Sequence, residues 1–134
     1  MEIDPYFRAV SLHEAAHCGL MLAQGARSVE VQIFHDGSAR TLADGARKDW
    51  TTAESVIITA GATMFQRLID DTIEIDDYGD RMKLRELQKQ LSPQVYATLL
   101  RMTERMLTLD CRSILEMAKQ MGRPGKYFFG QRIH

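Results

Sequence analysis

The stretch DPYFRAVSLHEAAHCGLMLAQG, residues 4–25, predicts a helix with recognisable signals at both ends. Asp4 is a favourable N-cap, Pro5 suits the first helical position, and Gly25 is a natural stop at the C-terminus. The centre of this stretch is HEAAH, residues 13–17, and the residues around it are small enough for a neighbouring element to approach closely. We therefore predict a packed helix that carries two histidines and a glutamate at its centre.

The residues after this helix predict a small β-hairpin. Val29, Val31 and Ile33 alternate with polar residues, which is the period of a half-buried strand. Asp36-Gly37 is a hairpin turn signal, and residues 38–43 form either the returning strand or part of an irregular loop.

Three further helices are indicated by capping signals. Thr51 and Glu54 have the spacing of a capping box at the start of the second helix. A third helix, over about residues 80–91, follows an acidic loop. Ser92-Pro93 opens a long last helix that stops at Gly122. The apolar stripe that we expect this helix to bury consists of Val95, Leu99, Met102, Met106, Leu109, Ile114 and Met121. The aromatic and basic tail, residues 126–134, is expected to dock on the body of the domain or on a partner.

Length and composition favour one mainly α domain over residues 1–134. The chain has 134 residues, of which 45% are hydrophobic and 26% are charged, and this composition is typical of a domain with a core. A net charge of -1 favours neither nucleic acid nor an anionic membrane as partner. We expect no membrane span and no signal peptide. Cys18 and Cys111 indicate free thiols and a cytoplasmic protein.

The spacing within HEAAH predicts a zinc site. His13 and His17 are four apart, so they share one helix face at about 6 Å and can both reach one zinc ion at about 2.0–2.1 Å. Glu14 lies about 100° further round the helix, beside a water on the metal. Zinc lowers the pKa of that water and polarises a carbonyl group, while Glu14 takes the proton and passes it to the leaving amine.

The third zinc ligand is not a nearby histidine. His35 lies in the hairpin turn and His134 is the last residue. Leu20 and Ala23 occupy the positions where a metzincin carries glycine and histidine, so that class is excluded. Cys18 points about 100° away from His17, which favours a core position over a thiolate ligand. Carboxylates remain, and they are densest after the second helix, at Glu74, Asp76, Asp77 and Asp80.

Four stretches in order resemble the peptidase domain of the FtsH-type ATP-dependent zinc metalloproteases. They are AVSLHEAAHCGL (9–20), VEVQIFHDGSART (29–41), ITAGATMFQRLI (58–69) and YGDRMKLREL (78–87), and the likeness covers about residues 6–91. The resemblance implies a helical zincin-like peptidase fold with His13, His17 and Asp80 as zinc ligands. It also implies that Glu14 is the catalytic base.

The chain departs from that family in several places. Ala16 stands where the family motif HEAGH has glycine, and Gly61 is the one clear residue of the family's second-helix motif. Asp80 falls one residue late without an insertion, so Asp76 and Asp77 remain rivals as the third ligand. The family's ATPase domain and membrane anchor have no counterpart in these residues.

From these observations we expect a zinc-dependent endopeptidase that cleaves peptides or unfolded proteins. The strand edge that carries Val29, Val31 and Ile33 is predicted to bind an extended peptide as an added strand. A separate ATPase or unfoldase is an expected partner for folded substrates. The alternative is a non-catalytic zinc-bearing scaffold or adaptor derived from such a domain. A third possibility is a cytoplasmic HExxH protease of the kind that cuts repressors.

Overall fold

Helices dominate the part of the chain that the structure describes, and a small antiparallel sheet accompanies them. The computed structural model describes residues 4–44 and 49–131, except for the side chain of residue 44. In chain order the elements are α1 (Pro5–Ala23), β1 (Ser28–Ile33), β2 (Ala39–Asp44), α2 (Thr52–Ile69), α3 (Tyr78–Gln88), α4 (Pro93–Gln120) and β3 (Gly125–Gly130). The mainly α class is confirmed, and the predicted hairpin is part of a three-stranded sheet. The zincin-like fold stays a prediction.

The predicted helix starts follow from local capping bonds. The Asp4 carboxylate accepts a hydrogen bond from the Tyr6 amide at 2.8 Å, at the start of α1. Thr51 and Glu54 form both bonds of the capping box before α2, and the Ser92 hydroxyl accepts from the Val95 amide before α4. These bonds satisfy amides that a helix leaves without a partner in its first turn. The three predicted starts are confirmed.

The first helix is buried on every side. All thirteen residues from Ala9 to Met21 are buried, because α2, α4 and the sheet pack around α1. Glycine permits the closest of these approaches. A Cβ atom at Gly19 would lie 2.7 Å from Cγ1 of Ile114, and one at Gly61 of α2 would overlap Leu20. The small residues around HEAAH therefore let neighbouring helices reach the centre of α1.

The sheet has β1 in the middle, with β2 and β3 antiparallel to it on either side. Between β1 and β2 the Asp36 carboxylate accepts hydrogen bonds from the amide and hydroxyl of Ser38, and Gly37 takes a φ of 88°. Residues 38–43 are thus mostly the returning strand rather than an irregular loop. Of the two alternatives for the tail, docking on the body holds for residues 126–130, which lie in β3, and residues 132–134 lie outside the described residues.

The central position of β1 corrects the predicted peptide-binding edge. Val29, Val31 and Ile33 are at most 2% exposed, and both edges of β1 are already paired. A peptide therefore cannot add to β1 as a further strand, and the prediction that β1 offers an open edge was wrong. That these residues bind substrate in another way stays a prediction. The third strand comes from the tail, which lies about one hundred residues further along the chain, so hairpin signals could not reveal it. In the described chain, the free edges belong to β2 and β3.

The buried face of α4 also differs from the predicted stripe. Val95, Met102 and Leu109 are 47%, 47% and 78% exposed. Leu99, Ile114 and Met121 of the predicted stripe are buried, and the other buried positions of α4 are Thr103, Leu107, Met117 and Ala118. The spacing of seven that links Val95, Met102 and Leu109 places them together on a neighbouring face of the helix. Among the described helices, none combines the length and apolar character needed to cross a membrane.

The close approach at Gly61 makes a prediction about stability. Gly61→Ala should lower the free energy of unfolding, because the added methyl group overlaps Leu20 and lies 3.1 Å from Cγ2 of Thr103. Overpacking costs about 1–3 kcal/mol, which exceeds the gain of about 1 kcal/mol that alanine brings to a helix. Urea unfolding measures the difference. Gly79→Ala is the control, since a Cβ atom there meets nothing within 4 Å. If Gly61→Ala and Gly79→Ala had the same free energy of unfolding, α1 and α2 would not be packed this closely.

Candidate metal centre

Both histidines of HEAAH point at one carboxylate oxygen of α3. Nε2 of His13 lies 2.6 Å from Oδ2 of Asp80, and Nε2 of His17 lies 3.0 Å from the same atom. The two imidazole rings are 4.8 Å apart between centroids and are nearly perpendicular. The two histidine side chains are buried, and the Asp80 side chain is 28% exposed. Two histidines four apart on α1 and an acid from the first turn of α3 thus form one cluster.

Asp77, a rival to Asp80 in the sequence, is engaged elsewhere. Its Oδ2 accepts a hydrogen bond from the Thr63 hydroxyl at 3.2 Å, and its Oδ1 accepts from Nε of Arg81 at 2.9 Å. The bond from Thr63 attaches the start of α3 to α2, and the bond from Arg81 closes the first turn of α3 on itself. The helix therefore begins at Tyr78, two residues before the predicted start, and Asp80 lies in its first turn.

The other acids of this segment remain at the surface. Asp76 is exposed and accepts a hydrogen bond from the Tyr78 amide at 3.2 Å, and Glu74 is also exposed. His35 is exposed in the hairpin turn, and His134 lies outside the described residues. Of the four acids considered from sequence, Asp80 is the one that the structure brings to His13 and His17.

The hydrogen bond that His17 makes on the side away from Asp80 fixes which of its two ring nitrogens carries the proton. Nδ1 of His17 lies 3.0 Å from the main-chain oxygen of Ile58 in α2. A carbonyl oxygen only accepts, so Nδ1 carries the proton and Nε2 of the neutral ring presents a lone pair. The Asp80 carboxylate is also an acceptor. Two acceptors 3.0 Å apart repel unless a positive charge, a proton or a metal ion, lies between them.

The ionisation of this pair agrees with that argument. Burial alone would lower the pKa of His17, but the hydrogen bond to Asp80 and the negative charges of Glu14 and Asp80 raise it above 6.5 overall. Burial likewise opposes ionisation of Asp80, yet hydrogen bonds from His13 and His17 hold its pKa well below the usual range. Without a metal, the pair therefore holds a proton on the histidine and a negative charge on the acid.

The glutamate of HEAAH has a partner that the sequence did not reveal. The Thr41 hydroxyl of β2 donates a hydrogen bond to Oε2 of Glu14 at 2.5 Å, and Glu14 is 7% exposed. A signal for this contact was available. The Asp36-Gly37 turn sets Thr41 opposite Val31, so both side chains lie on the sheet face that packs against α1.

The cluster can hold a metal ion and opens into a cleft. His13, Glu14 and His17 are buried, and their ligand atoms all lie within 4.8 Å of one another. Nδ1 of His13 is the one buried side-chain nitrogen or oxygen among the described residues that has no hydrogen-bond partner. The cleft has a volume of about 560 Å³ and is lined by Asp80, by residues 36–41 and by the HEAAH side chains. The side chains of His13, Glu14 and His17 therefore line an open cleft.

Cys18 is not a competing ligand. Burial, together with the nearby charge of Glu14, raises the pKa of its thiol to about 12. Its Sγ also donates a hydrogen bond to Sδ of Met117 at 3.6 Å, on the side of α1 that faces α4. A thiol that keeps its proton and packs in the core is a poor metal ligand, so the core interpretation of Cys18 is confirmed.

Comparisons with known proteins add no relative. The chain matches no protein-family model, no curated protein and no solved structure. The resemblance to FtsH-type peptidases therefore stays a prediction that depends on the four quoted stretches. What the site can do has to be argued from its own atoms.

The raised pKa of His17 and the lowered pKa of Asp80 predict a pH-dependent stability for the metal-free protein. Asp80 contributes stability above the ordinary carboxyl pKa of about 4 and loses it as the pH falls through its lowered value. His17 contributes stability below 6.5 and loses it as the pH rises through its raised value. Asp80→Asn should therefore lower the free energy of unfolding most between about pH 4 and 6.5, by about 1–3 kcal/mol.

Urea unfolding in the presence of a chelator, at pH 5.5 and at pH 9, measures this difference. Above the raised pKa of His17 its ring is neutral and turns a lone pair toward the carboxylate, so removal of the carboxylate should cost less at pH 9 than at pH 5.5. Asp76→Asn is the matched control, since Asp76 is exposed on the loop before α3. A loss for Asp80→Asn that is equal at both pH values, or larger at pH 9, would mean that His17 and Asp80 do not form an ion pair.

Proposed function

We propose that this chain is a zinc-dependent endopeptidase. The observation that carries the proposal is the convergence of two imidazole nitrogens and one carboxylate oxygen beside a buried glutamate. Nε2 of His13 and of His17 lie 2.6 and 3.0 Å from Oδ2 of Asp80, and Glu14 lies in the same cleft. Neither a purely structural ion pair nor a purely structural zinc site requires a glutamate that lines an open cleft.

The residues that would hold the zinc ion are His13, His17 and Asp80. Two imidazoles and one carboxylate are a frequent ligand set of catalytic zinc, which keeps a further position open. The bond from Nδ1 of His17 to the Ile58 carbonyl oxygen is the kind of outer contact that orients a metal-binding histidine. When bound, zinc supplies a Lewis acid that acidifies a water molecule and polarises a carbonyl group.

Glu14 is the residue that would move the proton. Glu14 directly follows His13, so its side chain lies about 100° further round the helix. Its carboxylate therefore leaves the helix beside the histidines rather than between them. In this role Glu14 accepts a proton from the attacking water and then donates it to the amine of the departing peptide. A carboxylate suits both steps because it can hold and release one proton.

The corrected strand order supports β2 rather than β1 as the binding edge for an extended peptide. The outer edge of β2 is free in the described chain, and residues 39–41 line the cleft beside Glu14. Main-chain bonds to a free strand edge are a common way to bind an extended segment with little sequence preference. A cleft of about 560 Å³ suits a peptide or an unfolded segment, so a separate ATPase or unfoldase would have to supply folded substrates.

The proposed ligand set predicts which acid controls zinc affinity. Asp80→Asn should weaken zinc binding by more than about 10-fold, because a charged ligand becomes a neutral amide. His17→Ala should lose most of the zinc. A chelator competition on purified protein gives the affinities, and elemental analysis gives the zinc content per chain. Asp76→Asn, on the same loop but exposed, is the control and should bind like wild type. If Asp80→Asn binds zinc as tightly as wild type while Asp76→Asn does not, the ligand is misassigned.

The proposed base predicts a variant that keeps zinc but loses hydrolysis. Glu14→Gln is nearly isosteric and removes only the proton acceptor, so turnover of casein or a peptide library should fall about 10²–10⁴-fold. Zinc content and thermal unfolding should stay close to wild type. Equal zinc-dependent turnover by the variant would reject Glu14 as the base. A wild-type protein that binds zinc but cleaves no unfolded substrate would instead support the non-catalytic scaffold.

A further inference from the structure

The sheet supplies Glu14 with a polar partner at a position where the neighbouring side chains are apolar. Ala39, Thr41 and Ala43 are the β2 residues whose side chains lie on the sheet face against α1. Of these three, Thr41 alone has a side-chain hydroxyl, and that hydroxyl donates to Oε2 of Glu14 at 2.5 Å. Any β-branched residue would suit this strand position, so the hydroxyl needs a reason beyond packing.

Glu14 has two possible roles at this site. Its carboxylate lies within 4.8 Å of the ligand atoms of both histidines, so it can reach a metal ion as a further ligand. It also lines the cleft, where it can reach a water molecule. A carboxylate bound to the metal is a much weaker base, so the ligand role and the base role compete with each other. The direction in which the Glu14 side chain is held therefore decides between them.

We propose that Thr41 is a positioning residue that holds Glu14 as the general base and keeps it from becoming a metal ligand. This inference rests on the proposed peptidase function. The bond to Oε2 fixes the carboxylate toward β2 and leaves Oε1 to accept the proton from water. Because β2 is also the strand edge that would bind the peptide, one strand sets both the position of the base and the position of the substrate.

The test compares Thr41→Val with Thr41→Ser in the full chain loaded with zinc. Valine has the shape of threonine without the hydroxyl, whereas serine keeps the hydroxyl. Thr41→Val should lower kcat about 10- to 100-fold with KM nearly unchanged, which is the usual effect of losing a partner that orients a catalytic group. Zinc content and Tm should stay near wild type. Thr41→Ser should restore most of kcat.

A second measurement does not use activity. With Co²⁺ in place of zinc, the visible absorption spectrum reports the number and kind of ligands. Thr41→Val should change the spectrum toward higher coordination, because Glu14 is released to bind the metal. Glu14→Gln/Thr41→Val is the control and should keep the spectrum of Glu14→Gln alone.

The outcomes separate this inference from the proposed function. A wild-type protein without turnover refutes the peptidase proposal and the role of Thr41 with it. An active wild type with unchanged kcat and an unchanged cobalt spectrum in Thr41→Val refutes the positioning role alone. An equal loss of kcat in Thr41→Val and Thr41→Ser also refutes it, since the hydroxyl would not be what matters.

Discussion

The fold depends on satisfying the polar side chains of a helix that is buried on every side. A helix surrounded by other elements is normally apolar all round, because a buried polar group without a partner costs free energy. Here α1 carries His13, Glu14 and His17 among thirteen consecutive buried residues. Each partner comes from a different element. Ile58 of α2 accepts from His17, Asp80 of α3 meets both histidines, and Thr41 of β2 donates to Glu14.

These contacts explain why small residues surround the polar ones. Ile58 can reach His17 only if α2 comes close to α1. Gly61 allows that approach against Leu20, and Gly19 allows a close approach of α4 on another side of α1. Helix α3, which carries Asp80, has no buried residue of its own. Its position relies on Leu84 and Leu87, which pack against the core, and on Asp77, whose carboxylate links Thr63 to Arg81. These contacts hold the first turn of α3, and with it Asp80, beside α1.

What the sequence predicted well was local, and what it missed was distant. Asp4, Thr51 and Ser92 cap helices through bonds to amides two or three residues away, so their patterns carry the full information. The second partner of β1 comes from a segment far along the chain, and no local period reports such a pairing. The hairpin register could place Thr41 on the face toward α1, but not its bond to Glu14. The resemblance to a peptidase domain supplied Asp80, while spacing alone had left four acids open. The structure distinguishes them because Asp77 is used in packing and the other two rivals remain exposed.

The chemical argument for a metal does not depend on ancestry. No protein-family model matches the chain, so a shared origin is not used to assign the site. The Ile58 carbonyl oxygen fixes the proton on Nδ1 of His17, which turns a lone pair toward a carboxylate that is itself an acceptor. That arrangement favours any positive charge placed between them. A proton meets the need below the raised pKa of His17, and a divalent ion can meet it above that pKa as well. A cluster that a positive charge stabilises, beside a glutamate that accepts a hydrogen bond from Thr41, is the arrangement on which the proposal of a metal-dependent hydrolase rests.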